Sequence, residues 1–330
     1  MAPVGRRDFV IGATACFGMQ LGPKAQPSPV THRIGYLALQ LSGAPRLTEA
    51  FRRGLRDLGH EGRSLAIEFR DAQGRPERLD ALAAELAAGK VDVIVTAGSL
   101  PAIAARRATE RVPIVFIGAA DPVTSGMVAS LAQPGGNLTG LSLLLPELVG
   151  KRLELFKQAV PSIRRVAVLW QPGGSGARTE QDLLKGAETA ALALGLELRF
   201  VEARRPADID RAFSEMANPR VDALTVLSTP MFGGEQKRIV ALAIRHRLPT
   251  MFQFREYVDA GGLMSYGPDL PDLYRRAAVY VDKILKGALP ANLPVEQPTK
   301  FELVINLLAA QELGLSLSRS VVGRADALIQ

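Results

Sequence analysis

From residue 33 onward short apolar runs alternate with amphipathic stretches, and the alternation occurs twice over similar lengths. The first series has apolar runs at 33–39, 65–70, 91–96 and 113–117, with helical patterns at 46–59, 76–89 and 99–110 between them. Within 76–89, Leu79, Leu82, Ala83 and Leu86 recur at helical spacing, so one stripe of that helix faces a sheet. The second series has runs at 165–169, 196–202, 222–227 and 249–254, with helices expected at 177–194, 206–217 and 233–246. Strand–helix alternation of this kind builds a parallel sheet covered by helices. Two series imply two doubly wound α/β lobes with a cleft between them. The tail adds a run at 262–266, a helix at 269–287, an extended 294–303 and a helical stretch at 304–313. It is too short for a third domain, so the chain is expected to cross between the lobes more than once. The expected division is 32–145 plus about 262–290 for lobe 1, and 146–261 plus about 291–330 for lobe 2.

The first thirty residues read differently. Gly5-Arg6-Arg7-Asp8-Phe9-Val10 opens into an apolar run ending at Leu21. A basic head before a short greasy segment is the layout of a bacterial export signal, and the run is shorter than the roughly 20 residues a membrane span needs. The paired arginines resemble the twin-arginine type, with the general secretory route as the alternative. Processing is expected near Ala25, which makes 1–25 the signal and places the mature chain in the periplasm. Ala13-Thr14-Ala15-Cys16 faintly resembles a lipoprotein box, so a lipid anchor on Cys16 is a second reading.

Open parallel sheets bind ligands beyond the carboxyl ends of their strands, so those positions supply the candidate site. The first strand ends at Leu39-Gln40, the third at Thr96-Ala97-Gly98-Ser99-Leu100-Pro101, and the fourth at Gly118-Ala119-Ala120-Asp121-Pro122. Ser99 is placed to cap the helix that follows, whose amides suit a carboxylate or phosphate. Asp121 is a candidate partner for a ligand ammonium, or else the cap of a turn. In the second series the ends are Trp170-Gln171-Pro172, Ser228-Thr229-Pro230 and Gln253-Phe254-Arg255-Glu256-Tyr257. Aromatic side chains there offer stacking area. The candidate ligand-binding residues are therefore Gln40, Gly98, Ser99, Leu100, Asp121, Gln171, Thr229, Phe254 and Tyr257, joined by Tyr266 in the tail.

Other chemistries find little support. Gly173-Gly174-Ser175-Gly176 ends in Ala177 and so is not a nucleophile elbow, Gly150-Lys151-Arg152 lacks the first glycine of a phosphate loop, and no G-x-G-x-x-G follows a strand. Three histidines lie scattered at His32, His60 and His246, and Cys16 is the single cysteine, so neither a metal site nor a disulfide is expected. The 40 basic against 33 acidic residues give +7, but the signs alternate along helix faces, as in Arg52-Arg53-Gly54-Leu55-Arg56-Asp57, which is not a nucleic-acid footprint. No cofactor and no catalytic residue is expected.

Several segments resemble a known family. They include Phe51-Arg52-Arg53-Gly54-Leu55-Arg56-Asp57-Leu58-Gly59, Asp121-Pro122-Val123, Pro134-Gly135-Gly136-Asn137-Leu138-Thr139-Gly140 and Gly150-Lys151-Arg152-Leu153-Glu154-Leu155. The most specific are Ala260-Gly261-Gly262-Leu263-Met264-Ser265-Tyr266-Gly267-Pro268 and the run from Pro294-Val295-Glu296-Gln297-Pro298 to Leu307. Over about 32–313 the chain resembles the tryptophan/tyrosine-type substrate-binding proteins of ABC transporters. That resemblance implies the type I periplasmic-binding-protein fold: two Rossmann-like lobes joined by three crossings around a central ligand cleft. It further implies a monomer that captures a small carboxylate-bearing solute, with an aromatic amino acid as a candidate. The implied partners are an ABC permease and its ATPase, and membrane contact only through them or through a lipid anchor. Gly98-Ser99-Leu100-Pro101 stands where relatives often carry Gly-Thr-Pro, and Gln171 stands where Asn is common. A repressor-like sensor of the same fold, or an exported enzyme using the cleft, are the alternatives. The first would need an N-terminal helix-turn-helix where this chain has its export signal, and the second a catalytic constellation.

Overall fold

The computed structural model describes residues 32–41, 45–60, 65–143 and 145–330, so the expected signal, the pair Arg6-Arg7 and Cys16 lie outside the described residues. The first series runs β1 (His32–Ala38), α1 (Pro45–Asp57), β2 (Leu65–Asp71), α2 (Leu79–Ala88), β3 (Val93–Ala97), α3 (Ser99–Ala108), β4 (Ile114–Ala119) and β5 (Leu138–Ser142). The second runs α4 (Leu145–Ala159), β6 (Arg165–Trp170), α5 (Ala177–Leu194), β7 (Glu197–Glu202), α6 (Ile209–Met216), β8 (Ala223–Val226), α7 (Pro230–Gly234), α8 (Gln236–Arg245), β9 (Thr250–Phe252), α9 (Arg255–Asp259) and β10 (Met264–Pro268). The tail consists of α10 (Leu270–Leu285), β11 (Phe301–Asn306), α11 (Leu307–Glu312), α12 (Arg319–Val322) and β12 (Ala327–Ile329).

Among the described residues the strands form two sheets, one ordered β2-β1-β3-β4-β5 and the other β12-β11-β10-β9-β8-β6-β7. The first is parallel throughout. The second is parallel except where β11 runs against β10. Read from β6 as its first strand, the second sheet repeats the 2-1-3-4-5 order of the first and then extends it by β11 and β12.

Alternation along the strands sets two packed faces for each sheet. Ile34 and Tyr36 of β1 point at Phe51 and Leu55 of α1 and at Leu273, Ala277 and Val281 of α10. Leu37, Ile94 and Phe116 point the other way, onto Leu79, Leu82 and Leu86 of α2 and Ala102 and Ala105 of α3. In the second lobe Val166 and Val168 meet α4 and α5, whereas Ala167 and Leu169 meet α6, α8 and Tyr257 of α9. Burial of one such side chain contributes about 1.5–3 kcal/mol, so these faces, not the exposed ion pairs, hold the lobes together.

Three segments cross between the lobes: Ser142 to Leu145, Pro268 to Leu270, and the stretch between Glu296 and Phe301. Glu296 still pairs with β5, donating its N–H to Gly140 O at 3.0 Å and accepting from Ser142 N at 2.9 Å. The expected boundaries need correction in the tail. Residues 264–268 are β10 of the second sheet, and only from Leu270 does the chain return to lobe 1, where α10 covers α1. The segment 289–296, which opens with a 3-10 turn at Pro290–Asn292, stays beside β5 on lobe 1 before the chain re-enters the second sheet. The helical stretch expected from 304 starts at Leu307, because Val304 and Ile305 pair with Ser265 and Met264, and the Asn306 side chain accepts the Ala309 N–H to begin α11. The helix expected at 233–246 is two helices, α7 opening on Pro230 with Thr229 as its cap and α8 starting at Gln236.

Candidate functional site

The order change in each sheet, between β1 and β3 in one and between β6 and β8 in the other, leaves a crevice beyond the strand ends. The two crevices face each other across a cavity of about 190 Å³. Lobe 1 contributes Leu39 and Gln40 after β1, Gly98, Ser99 and Leu100 after β3, and Gly118 and Ala120 at the end of β4. Lobe 2 contributes Gly174 and Ser175 after β6, Ser228, Thr229 and Pro230 after β8, and Phe254, Glu256 and Tyr257 after β9. Leu270 and Tyr274 of α10 close the side. Leu47, Ile117, Leu143 and Leu145 complete a largely apolar wall.

The polar groups have distinct duties. Gly98, at φ +93°, is the residue before α3, a backbone geometry that a Cβ disfavours, and no side chain caps the helix. Ser99 was expected as that cap, but it lies inside the first turn, and its buried Oγ accepts the Ala120 N–H at 3.0 Å, fastening α3 to the end of β4. Its hydroxyl proton remains to be donated. Across the cleft the Thr229 hydroxyl donates to Gln171 Oε1 at 2.6 Å and accepts the Phe232 N–H at 3.4 Å. Gln171 is thus behind the wall and props Thr229 rather than lining the cavity. The amides of Gly173 and Ser175 are taken by Glu180, at 3.0 and 2.9 Å, so that loop has no anion site to spare. Gln40 reaches Gly234 from the opposite lobe, where a Cβ would come within 2.5 Å of its Nε2.

Besides Gln171, two expected site residues are elsewhere. Asp121 closes its own turn, its Oδ1 accepting the N–H groups of Val123 at 3.1 Å and Thr124 at 2.9 Å, and it does not line the cavity. Tyr266 belongs to the face of the second sheet under α4, where its ring stacks on Phe301 at 6.1 Å. Sequence reading missed Glu256, Ser228 and Tyr274. The first two sat inside strand-end segments already in view, so being a polar residue at such an end was the available signal. Tyr274 reaches the cavity only because α10 returns to lobe 1.

Burial dominates the electrostatics. It pushes the Tyr274 phenol up to about 12 and the Tyr257 phenol up further, and the nearby Glu256 carboxylate adds to both shifts. The Tyr257 ring stacks on Phe252 at 4.5 Å, while its hydroxyl and that of Ser228 are buried and lie near each other without the geometry of a hydrogen bond. Glu256 has its own carboxyl raised above the ordinary range, again chiefly by burial.

A two-lobed cleft with an apolar wall and a few convergent polar groups is a small-molecule site. The family model for ABC transporter substrate binding proteins matches residues 42–329. The chain belongs to that family. Its members are binding proteins of ABC transporters, not enzymes. Among curated relatives, a tyrosine-binding protein of Clostridioides difficile (strain R20291) is 26% identical over 271 residues, covering 81% of this chain and 77% of that protein. A conserved domain protein of Vibrio cholerae O1 biovar El Tor has a solved structure with TM-score 0.84 and 28% identity, covering 90% of this chain and 99% of that one. The ABC domain from Streptococcus pneumoniae in complex with L-Trp has TM-score 0.84 and 24% identity, covering 91% and 100%. As a substrate-binding protein this chain presents no group of three or more metal-ligating side chains among the described residues. No described helix is long and apolar enough to cross a membrane.

Proposed function

We propose that this substrate-binding protein serves an importer. Exported to the periplasm by its N-terminal signal, it captures a small carboxylate-bearing solute with an apolar body, an aromatic amino acid being the candidate. It closes its lobes on that solute as a monomer and delivers it to a permease driven by an ATPase. The observation that carries the reading is the cavity at the two facing order changes, walled by Leu, Ile, Phe and Tyr side chains, with the start of α3, which no side chain caps, on one side. The carboxylate is assigned to those amides and to the Ser99 hydroxyl, since a helix N-terminus favours an anion. Phe254 and Tyr257 supply the stacking surface from the facing lobe. The tyrosine-binding relative and the L-Trp complex support the solute class.

The test is a thermal-shift screen of the mature chain against amino acids, aromatic acids, nucleobases and sugars, followed by calorimetry. A ligand that binds only the folded state raises the melting temperature, by an amount set by its concentration relative to Kd. Aromatic amino acids or aromatic acids are expected as the hits. A sugar or nucleobase as the sole hit would overturn the solute class.

A further inference from the structure

We infer that lobe 2 carries a second ligand site, apart from the solute cleft, for a small neutral ring compound that bears one hydrogen-bond donor, in the size range of phenol and indole. It is a recess of about 220 Å³ between α8, α11 and the turn Gly261-Gly262. Thr250, the first residue of β9, and Leu263, just before β10, line it. It therefore lies at the opposite end of the second sheet from the cleft, which Phe254 and Tyr257 reach beyond the end of β9. The floor is apolar and buried, formed by Val240 and Ala243 of α8, by Leu263 and by Ala309 of α11. Ile244 at the rim is 46% exposed, and Arg247 and Glu312 beside it are exposed as well, so the recess opens to the surface. On the turn side the wall is bare backbone: a Cβ on Gly261 would lie 3.3 Å from Ile244 Cδ1 and would narrow the opening. An apolar floor holds a guest by dispersion contact and by covering its surface, and about 150 Å³ of such space is enough for benzene. The larger volume here admits a second fused ring.

The charges at the rim select a neutral guest. Among the described residues that line the recess, Arg247 and Glu312 are the only charged side chains, and their signs cancel. Arg247 leans on the end of α11, donating to Glu312 O at 3.4 Å, and neither side chain forms an ion pair with a described residue. The last turns of α8 and α11 both end at this rim, and helix C-termini disfavour an anion. A carboxylate of the kind proposed for the cleft would face those helix ends and Glu312, and a cation would face Arg247. Either charge would also have to leave water to follow its ring onto the apolar floor. A hydroxyl or ring N–H meets none of these costs, and it has the Glu312 carboxylate within the same rim as its acceptor.

Crystals of the mature chain soaked in 5-bromoindole or 4-bromobenzoate locate each probe by the anomalous signal of bromine, and calorimetry with indole measures affinity in solution. The expected result is a bromine peak in the recess from 5-bromoindole and none there from 4-bromobenzoate, whatever either does in the cleft. Indole is expected to bind with a Kd of about 1 mM or tighter. Ala309→Leu, which puts a larger side chain on the floor, is expected to weaken that binding at least tenfold. Ile244→Trp, on the exposed rim where folding is not at stake, is expected to do the same by covering the opening. A 5-bromoindole peak confined to the cleft, or indole binding untouched by both substitutions, would overturn the site. So would a peak without calorimetric binding, which is binding at crystal concentration only. Bromine from 4-bromobenzoate in the recess would overturn the neutral guest. Each of these failures leaves the cleft reading standing, because the two sites share no lining residue.

Discussion

Replacing Ser99 with Ala separates the fastening that the structure gives its oxygen from the ligand role proposed for it. The residue is 8% exposed and Ala120 only 4%, and the hydrogen bond between Ser99 Oγ and the Ala120 N–H is buried. In the variant that N–H loses its acceptor where water does not reach it, which costs about 1–3 kcal/mol. Each kcal/mol lowers the melting temperature by about 2–4 °C at a size comparable to one lobe. A drop of several degrees in the ligand-free protein is the first expected outcome. The second concerns the solute: the Ser99 hydroxyl accepts from Ala120 and still donates its own proton, which the proposal directs at a carboxylate. Losing a hydrogen bond to a charged group costs about 1.5–3 kcal/mol, or roughly one to two decades in Kd. Differential scanning calorimetry of the ligand-free chain and titration with L-tyrosine on the same variant read the two effects separately. An unchanged melting temperature refutes the fastening of α3 to β4. A lowered melting temperature with unchanged Kd refutes the carboxylate role, and the anion must then be sought at another strand end.

Three further outcomes are expected. In Gly54→Ala the new Cβ would lie 2.7 Å from Arg275 O and 2.8 Å from Ala278 Cβ of α10, so overpacking is expected to cost about 1–3 kcal/mol and to lower the urea midpoint at constant slope; an unchanged midpoint would mean that the two helices separate freely. Asp282 is bonded to His60 Nε2 and Lys286 Nζ, each at 2.9 Å; burial pushes its carboxyl up, but those two partners outweigh burial and the net shift is down. Its contribution is complete above the unfolded value of about 3.9 and lost as pH falls through the lower folded value, so Asp282→Asn is expected to lower stability at pH 7 and to flatten the acid limb of a melting-temperature profile, and parallel profiles would sink the assignment. Arg152 is 2% exposed with both terminal nitrogens unpartnered, and burial lowers its guanidinium to about 10, an unfavourable difference of roughly 3 kcal/mol; Arg152→Met is expected to hold or raise the melting temperature, and a fall of several degrees would show that the charge is compensated.

The sequence disclosed the fold wherever apolar periodicity was uninterrupted. β1, β3, β4, β6 and β8 have mainly apolar centres buried on both faces, and a parallel sheet demands that pattern. Strand β5 escaped because Leu138-Thr139-Gly140-Leu141-Ser142 is short, carries only two large apolar residues and is interrupted by a glycine. There the pairing with β4 is decisive: a Cβ at Gly140 would fall 2.0 Å from Phe116 O, so the glycine is a demand of the neighbouring strand. The site was legible as a set of strand ends but not as a set of roles. Gly98, Ser99 and Thr229 line the cavity because they follow strands at the order changes, and Tyr257 joins them from beyond β9. Whether a strand-end carboxylate faces the cleft or its own backbone depends on the loop that follows. Asp121 precedes Pro122 and folds back on Val123 and Thr124, whereas Glu256, in the first turn of α9, lines the cavity.

Contacts across the mouth of the cleft suggest where the energy of closure resides. The ion pair between Arg46 of lobe 1 and Asp259 of lobe 2 spans 3.6 Å with the arginine side chain 72% exposed, and a pair of that kind contributes about 0–1 kcal/mol. Gln40 against Gly234 is a contact of one flexible amide with a bare backbone. Neither contact is strong enough to hold the lobes shut unaided, whereas the apolar walls from both lobes meet across the cavity itself. A solute that touches Leu100 and Ile117 on one side and Phe254 and Tyr257 on the other gains burial only when both walls are present. Ligands shift a conformational equilibrium by their difference in affinity for the two states and by nothing else. On the proposed reading that difference comes from solute surface covered by the second lobe, so a solute too small to reach both walls is expected to bind without closing the lobes.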